Sequence, residues 1–320
     1  MIIRREIRSF ELTKPFGISR GQKTTADVVR VEIHKDGLVG RGEGVPYPRY
    51  GDTAEMALKQ IESLPQDFER ESLKNLLPRG SARNAVDAAL WDIEAKATGR
   101  SVSSILGLDP MASLPMGYTI SLASAKDMIA DAFEHNQAEL IKIKLGSSHD
   151  KEALLGIRNA APNARLIVDV NEGWDLSTFK AMLPVLEEAA VELLEQPLPT
   201  EMDEQLEELD CSIPLCADES NYPGRPIEDI ARIFSFVNIK LDKSGGLTSA
   251  LDEVTGARQA NLGVMVGCMV SSSLGIAPAF IAAQNADYSD LDGFLTIAND
   301  EVPGMVVEDG RLALPSGLWG

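Results

Sequence analysis

Ile141-Lys142-Ile143-Lys144 is an apolar, β-prone stretch that ends in a lysine, and four later stretches end in the same way with an acid or a lysine. These are Ile167-Val168-Asp169, Leu193-Leu194-Glu195, Leu215-Cys216-Ala217-Asp218 and Asn238-Ile239-Lys240. Counted from Lys144, their last residues recur 25, 26, 23 and 22 positions apart. This interval accommodates one strand, one helix and two short loops, so the pattern predicts successive βα units.

The βα pattern extends to eight candidate strands. Tyr118-Thr119-Ile120 precedes the five stretches, and Val264-Met265-Val266-Gly267-Cys268 and residues 288–294 follow them. Eight strands that alternate with helices predict an α/β fold in which a parallel sheet closes into a barrel. Catalytic groups in such barrels lie at the C-terminal ends of the strands. We therefore expect a ring around one mouth that consists of Lys144, Asp169, Glu195, Asp218 and Lys240.

The first hundred residues follow a different pattern. Residues 28–34 alternate as a strand does, and Gly37-Leu38-Val39-Gly40 predicts a turn and a second strand. Residues 53–64 and 81–98 carry apolar side chains at helical spacing. Strands followed by helices predict a compact α+β unit, and the C-terminal tail, which has no room for an ordinary helix, would fold back on it. The predicted division of the chain is 1–110, 111–300 and 301–320.

Composition and charge exclude several classes of partner. The chain has 320 residues and is 44% hydrophobic, which is enough for a large core. Lys and Arg number 30 against 49 Asp and Glu, and the net charge of −19 would repel a phosphate backbone and an anionic membrane surface. We expect no nucleic acid and no membrane as partner. The early charges in Met1-Ile2-Ile3-Arg4-Arg5-Glu6 and the lack of long apolar runs favour a cytoplasmic protein.

The three acids of the ring predict a metal site. Asp169, Glu195 and Asp218 each follow an apolar strand, where a buried charge requires a partner or a metal. None of the three histidines is near them in sequence, and oxygen ligands alone favour Mg²⁺, with Mn²⁺ as the alternative, over Zn²⁺. One acid in such a place would more often cap a helix, but three in consecutive units favour the metal. Asn171 and Glu219 would either orient these ligands or cap helices.

The lysines of the ring predict proton transfer. Residues two apart in a strand face the same side, so Lys142 and Lys144 would both point into the mouth. Their repulsion and partial burial would lower the lysine pKa, as a general base near neutral pH requires. Lys240 would face them across the mouth. Two bases on opposite faces of one carbon can invert it, and a metal on the adjacent carboxylate would stabilise the enediolate that forms.

Three other interpretations of the same residues stay open. A lysine at a strand end can be a salt-bridge partner of a neighbouring acid. It can also form a Schiff base with the substrate, as in aldolase barrels. Finally, the acids could hold a metal in a protein without catalysis, provided that the lysines are structural.

The motifs around the ring resemble those of the enolase superfamily, muconate lactonizing subgroup. In chain order they are Lys142-Ile143-Lys144-Leu145-Gly146, Asp169-Val170-Asn171, Glu195-Gln196-Pro197, Ala217-Asp218-Glu219-Ser220 and residues 238–246. The resemblance spans nearly the whole chain and implies a modified (β/α)₇β TIM barrel beneath an α+β capping domain. It also implies one Mg²⁺ per subunit and assigns functional residues: Asp169, Glu195 and Asp218 as ligands, Lys144 and Lys240 as the acid/base pair, and Lys142 in support of Lys144.

The last strand would select the reaction. The subgroup contains cycloisomerases, o-succinylbenzoate synthases, N-acylamino acid racemases and dipeptide epimerases, so the family alone does not decide. Asp290-Leu291-Asp292 places two acids on one face at the mouth, which suits a free α-ammonium group. This DxD sequence resembles the signature of dipeptide epimerases. The alternative is a solvated acidic turn that also includes Asp287.

A resemblance to the L-Ala-D/L-Glu epimerases completes the hypothesis. Residues 16–21 and 47–51 resemble loops of these enzymes. Arg20 would pair with a side-chain carboxylate of the substrate, with Arg49 or Lys23 as substitutes, and Ser271 would line the pocket. We expect a small dipeptide as partner, leave room for a homo-oligomer, and expect inversion of the second residue during breakdown of murein peptides.

Overall fold

An antiparallel sheet opens the computed structural model, which describes residues 1–110, 112–209 and 211–320. Its strands are β1 (Ile2–Ile18), β2 (Gly21–Lys35) and β3 (Leu38–Gly44), with β2 in the middle. The alternation that predicted β2 is real, since Val29, Val31 and Ile33 are completely buried. The sequence did not predict β1, because it is an edge strand with mostly exposed side chains and therefore lacks a regular apolar alternation.

Four helices follow this sheet along the chain. They are α1 (Ala54–Glu62), α2 (Leu73–Leu76), α3 (Ser81–Thr98) and α4 (Val102–Ile105). The bounds of α3 agree with the helical spacing at residues 81–98. The helix lies so close to β3 that a Cβ atom on Gly42 would collide with the carbonyl oxygen of Ala85, so only glycine fits there. The sheet and α1 to α3 enclose their own hydrophobic cluster, and β1 to α4 are called the N-terminal unit below.

A short strand, β4 (Ser113–Pro115), leads into eight parallel strands that pair in chain order. They are β5 (Gly117–Ile120), β6 (Leu140–Lys144), β7 (Arg165–Asp169), β8 (Val191–Glu195), β9 (Leu215–Ala217), β10 (Phe236–Lys240), β11 (Gly263–Gly267) and β12 (Tyr288–Asp290). All eight predicted strands are confirmed. β12 ends earlier than residue 294, because a 3₁₀ turn begins at Gly293.

Helices cover the outside of this sheet. They are α5 (Ala125–Glu134), α6 (Asp150–Ala160), α7 (Leu176–Glu188), α8 (Asp203–Glu207), α9 (Ile227–Ala231), α10 (Leu241–Ser244), α11 (Leu247–Gln259) and α12 (Ser273–Ala283). Helices connect all eight strands, and residues 291–320 contain no α-helix, which gives the (β/α)₇β arrangement that the resemblance implied. The first and last strands meet where Thr119 N donates a hydrogen bond to Asp292 Oδ2 at 2.7 Å.

The C-terminal tail returns to the N-terminal unit. It forms β13 (Val306–Glu308) and β14 (Arg311–Ala313), and β14 pairs antiparallel with β4. Trp319 Nε1 then donates to Ala88 O at 3.1 Å, so the end of the chain lies on α3. The division at residues 110 and 300 stays a prediction. Among the residues that the structure describes, no helix is both long and apolar enough to cross a membrane.

Candidate active site

Three buried carboxylates meet at the C-terminal ends of adjacent strands. Asp169 ends β7, Glu195 ends β8, and Asp218 directly follows β9. Their side chains are at most 3% exposed, and one carboxylate oxygen of each lies within 4.8 Å of the others. None of the three is a helix cap, because α7, α8 and α9 begin after Asp175, Met202 and Pro226. The capping alternative is therefore wrong for these acids.

Two lysines lie on opposite sides of the carboxylates. Lys144 Nζ is 2.5 Å from Asp169 Oδ2, and Lys240 Nζ is 2.8 Å from Asp218 Oδ2. Their strands, β6 and β10, are four positions apart among eight, so the two ammonium groups approach the acids from opposite walls of the barrel. The structure thus places a basic residue on each side of an acidic centre, as the sequence predicted.

Lys142 occupies the space between these acids and the last strand. Its side chain is 1% exposed, and Nζ lies 2.6 Å from Glu195 Oε2, 2.6 Å from Asp290 Oδ2 and 3.1 Å from Asp169 Oδ2. Burial alone would lower the pKa of Lys142, but the negative charges of these three acids raise it well above its usual value. Lys142 is therefore held as an ammonium ion by carboxylates from three different strands.

The expectation of a low lysine pKa is wrong for Lys142 in this arrangement of charges. Burial would lower the pKa of Lys240, yet Asp218 and Glu195 raise it well above its usual value, as the acids do for Lys142. The expectation considered burial and the repulsion between neighbouring ammonium groups, but not the acids from other strands. Carboxylates within hydrogen-bonding distance outweigh that repulsion, because the attraction between opposite charges is strong where water is excluded.

The acid triad has the donor set that a hard divalent cation prefers. It offers carboxylate oxygen alone, and the buried Glu195 Oε2 faces the Lys142 ammonium at 2.6 Å without a well-directed hydrogen bond. Burial and the negative charge of Asp169 raise the pKa of Glu195, which indicates an acid with too little compensating positive charge. These properties fit a bound Mg²⁺.

Two further residues hold the acids in place and had no predicted role. Lys243 Nζ donates to Asp218 Oδ1 at 2.7 Å and to its backbone oxygen at 2.6 Å. Asn238 Nδ2 donates to Glu195 Oε1 at 2.7 Å. Asn238 lies two residues before Lys240 in β10 and so faces the same side, which is a signal that the sequence offered.

Asn171 and Glu219, predicted to orient the ligands or to cap helices, contact each other. The backbone N of Asn171 donates to Asp169 Oδ1 at 3.0 Å, and its side-chain Nδ2 donates to Glu219 Oε1 at 3.2 Å. Neither residue caps a helix, because α7 and α9 begin several residues later. Asn171 therefore contacts the candidate ligand Asp169 directly. Glu219 contacts the side chain of Asn171 and reaches Asp169 only through it.

The acid pair of the last strand lies at the same mouth. Asp290 Oδ2 accepts from Lys142, and Asp292 accepts from Thr119 N at 2.7 Å and from Thr119 Oγ1 at 3.2 Å. Burial and the charge of Asp290 raise the pKa of Asp292 to about 6. Asp287 is separate, because it is partly exposed and pairs with Arg258. The alternative of one solvated acidic turn is therefore wrong.

The remaining predicted site residues are Arg20 and Ser271, which lie in different loops. Arg20 lies over the mouth, where its guanidinium contacts Glu219 at 2.7 Å and Glu172 at 3.0 Å. Ser271 is 3% exposed in the loop after β11. The next residue, Ser272, donates from N and Oγ to the buried Glu43 at 2.9 and 2.8 Å, which fastens this loop to the N-terminal unit. The substrate-binding roles of Arg20 and Ser271 stay predictions.

The chain matches two family models that together cover most of its length. The model of the mandelate racemase / muconate lactonizing enzyme N-terminal domain matches residues 3–107, and the enolase C-terminal domain-like model matches residues 124–318. The chain belongs to this family within the enolase superfamily, which confirms the resemblance. Membership gives no support to a Schiff-base aldolase.

Curated relatives cover almost the whole chain. L-Ala-D/L-Glu epimerase of Escherichia coli (strain K12) is 37% identical over 97% of this chain and 100% of the relative. N-acetyl-D-glutamate racemase of a Pseudoalteromonas species is 39% identical over 92% of this chain and 95% of the relative. Both relatives are isomerases, so the predicted reaction class is confirmed at that level.

Solved structures of similar proteins contain dipeptides. An enolase family member from Agrobacterium tumefaciens, with homology to dipeptide epimerases and with bound sodium and L-Ala-L-Glu, has a TM-score of 0.94 and 40% identity over 99% of both chains. The dipeptide epimerase from Methylococcus capsulatus, complexed with Mg and L-Arg-D-Lys, has a TM-score of 0.88 and 31% identity over 99% of this chain and 98% of the other. A divalent metal is thus present in a close structural relative.

Proposed function

We propose that this protein is a dipeptide epimerase that inverts the α-carbon of the second residue, with L-Ala-L-Glu and L-Ala-D-Glu as its substrate pair. One observation carries the proposal: Lys144 and Lys240 approach a buried three-carboxylate cluster from opposite sides, and an acid pair lies at the same mouth. The cytoplasmic breakdown of murein peptides is the role that we infer for such a reaction.

Asp169, Glu195 and Asp218 would hold one Mg²⁺ per subunit. When bound, the ion would stabilise the negative charge that develops on the substrate carboxylate as the α-proton leaves. The close approach of the three carboxylates and the raised pKa of Glu195 support this assignment. Asn238 and Lys243 keep two of the three acids oriented, so that the oxygen ligands are arranged before an ion arrives.

Lys144 and Lys240 would carry out the proton transfer. One lysine, as a neutral amine, removes the α-proton from one face of the carbon. The other lysine, as an ammonium ion, delivers a proton to the opposite face, and the carbon is inverted. The reverse reaction exchanges the two roles, so each lysine serves one stereoisomer. Lys142, which stays an ammonium ion, would support Lys144 by attracting the Asp169 carboxylate that both lysines contact.

Asp290 and Asp292 would bind the free α-ammonium of the first residue. Asp290 already pairs with Lys142, whereas the described hydrogen bonds to the Asp292 carboxylate come from the neutral donors of Thr119. The charge of Asp292 is therefore less well compensated than that of Asp290, and the pKa of Asp292 is raised accordingly. A substrate ammonium group would compensate the charge of Asp292, whereas a neutral N-acyl group would not.

Racemization of an N-acylated glutamate is the second candidate, because the Pseudoalteromonas relative is an N-acetyl-D-glutamate racemase. Incubation of the enzyme with Mg²⁺ in D₂O separates the two candidates. We expect deuterium at the glutamate α-carbon of L-Ala-L-Glu with much slower exchange in N-acetyl-glutamate. Faster exchange in N-acetyl-glutamate would reverse the choice, and exchange in neither compound would reject both.

A further inference from the structure

Two arginines from separate loops of the N-terminal unit converge on one carboxylate of the barrel. Arg20 lies between β1 and β2, and Arg49 lies between β3 and α1. Arg20 Nη1 is 3.0 Å from Glu172 Oε2, and Arg49 Nη2 is 2.5 Å from Glu172 Oε1. Glu172 follows β7, three residues after Asp169, so this contact lies at the mouth of the barrel.

The contacts of Arg20 determine how many of its N–H groups are free to bind a substrate. Its Nη1 donates to Asn171 O and Glu172, and its Nη2 donates to Tyr47 and to Glu219. An arginine has five N–H groups, so the protein occupies four of them. The fifth, on Nε, has no acceptor in the described part of the chain. Arg20 is therefore held in a fixed orientation and offers one free donor to a substrate carboxylate, which is too few for a bidentate pair.

The first of these loops is seated tightly against the barrel. Ser19 Oγ donates to Asn171 O at 2.8 Å, beside the Arg20 contact to the same oxygen. A Cβ atom on Gly173 would lie 2.8 Å from Ser19 Cβ, so the loop fits there because residue 173 lacks a side chain. The loop with Arg49 has its described ionic contact with the barrel through Glu172 alone.

Glu172 itself has an unusual backbone. Its φ angle is +66°, a left-handed conformation that residues other than glycine, asparagine and aspartate rarely adopt. Its side chain is 8% exposed, and Oε1 also accepts from Thr200 N at 3.2 Å. A strained backbone persists where surrounding contacts hold it, and here the two arginines and Thr200 supply those contacts.

We propose that Glu172 is a positioning residue that holds both loops of the N-terminal unit closed over the mouth and orients Arg20 towards the second residue of the substrate. This inference rests on the proposed function for the identity of the substrate. The contacts of Glu172 that carry it do not depend on the substrate. Glu172 acts through Arg20 and Arg49 and does not touch the reacting carbon.

Hydrogen exchange of the two loops tests this proposal on the full-length protein. Glu172→Gln keeps the shape of the side chain and removes its charge, and Glu201→Gln is the matched control, because Glu201 is exposed next to Thr200 and makes no described ion pair. We expect amides in residues 16–24 and 45–52 to exchange roughly tenfold faster in Glu172→Gln. Amides of β8 and the affinity for Mg²⁺ should stay as in the wild type, and the control should change nothing. The proposal would be overturned if the exchange rates of these loop amides were unchanged in Glu172→Gln, or if they rose equally in the control.

Two further measurements separate positioning from a general structural effect. Arg49→Gln should loosen residues 45–52 alone, because Arg20 keeps its contacts to Glu172 and Glu219. In Glu172→Gln the KM for L-Ala-L-Glu should rise while kcat falls less than roughly threefold, since the lysines are untouched. A large loss of kcat with unchanged KM would contradict positioning. If the wild type epimerizes no dipeptide, the proposed function fails, and the exchange of the loops still decides the role of Glu172.

Discussion

Lys142 Nζ lies 2.6 Å from Asp290 Oδ2, and this contact joins the acid pair of the last strand to the acids in the centre of the mouth. The same ammonium group contacts Glu195 and Asp169. One buried positive charge thus compensates two neighbouring acidic groups, the candidate metal ligands and the candidate site for the substrate ammonium. A change at either group should therefore affect the other.

Lys142→Met should destabilise the fold. The variant leaves three buried carboxylates without their shared ammonium, and removal of one partner from a buried ion pair costs about 3–5 kcal/mol. Urea unfolding without divalent metal measures this difference, and added Mg²⁺ should recover part of it. Lys151→Met, at an exposed position of α6, is the control for loss of one lysine. Equal stability of the Lys142 variant and the wild type would show that its ion pairs are unimportant.

Asp292→Asn should weaken the binding of dipeptides selectively. The change removes the acid that we assign to the substrate ammonium, and loss of a hydrogen bond to a charged group should raise the KM for L-Ala-L-Glu roughly tenfold or more. Inhibition by N-acetyl-glutamate should change little. Asp287→Asn removes the same charge from a partly exposed ion pair and should have no such effect. If the binding of the dipeptide and of N-acetyl-glutamate weakened equally, Asp292 would not be the binding site of the substrate ammonium.

Glu195→Gln should abolish stabilisation by metal. For the wild type, Mg²⁺ at 100 times its Kd should raise the free energy of unfolding by about 2.7 kcal/mol, and a chelator should remove both this gain and the activity. The variant should show no gain. Glu192→Gln is the control, because Glu192 lies in the same strand but pairs with Arg165 at the surface. Full metal stabilisation of the Glu195 variant would place the metal elsewhere.

Stability should also depend on the protonation of Asp242, which lies between the barrel and the N-terminal unit. Its Oδ1 accepts from Val45 N and Asn84 Nδ2, and burial raises its pKa from 3.8 to about 7. The folded protein therefore retains a proton that the unfolded chain releases above pH 3.8. This contribution to stability is complete below that pH and is lost as pH rises towards 7, by about 4 kcal/mol in total.

The comparison with Asp242→Asn isolates this contribution. The variant keeps an acceptor oxygen for both donors and has no ionizable group at this position. Unfolding free energies between pH 4 and 7 should fall more steeply for the wild type than for the variant. Parallel curves would mean that Asp242 is ionized in the folded protein throughout this range.

The sequence predicted most of the barrel and its ring of charged residues, because five of the apolar stretches end in a charged side chain at a regular interval. The convergence of Asp169, Glu195 and Asp218 could be predicted from their positions alone. The strand β1 could not be predicted, because an edge strand exposed to solvent needs no apolar alternation. The contacts of Glu172 were also beyond prediction, because they join residues 123 to 152 positions apart through loops.

The direction of the pKa shift predicted for Lys142 was wrong. Two lysines on the same face of a strand are visible in the sequence, and their repulsion lowers a pKa. The acids that reverse this effect come from β7, β8 and β12, and their distances from Nζ depend on the closure of the barrel. The sign of an electrostatic effect therefore required the three-dimensional structure.

The central claim is that Lys144 and Lys240 are two bases on opposite faces of one carbon. Its most direct test is the exchange of the α-proton in D₂O, followed by NMR, for Lys144→Ala and Lys240→Ala with L-Ala-L-Glu and L-Ala-D-Glu given separately. We predict that neither variant interconverts the diastereomers. Each variant should still exchange the α-proton of one diastereomer, and the two variants should act on opposite ones. Interconversion by either variant at the wild-type rate, or exchange of the same diastereomer by both, would contradict the two-base mechanism.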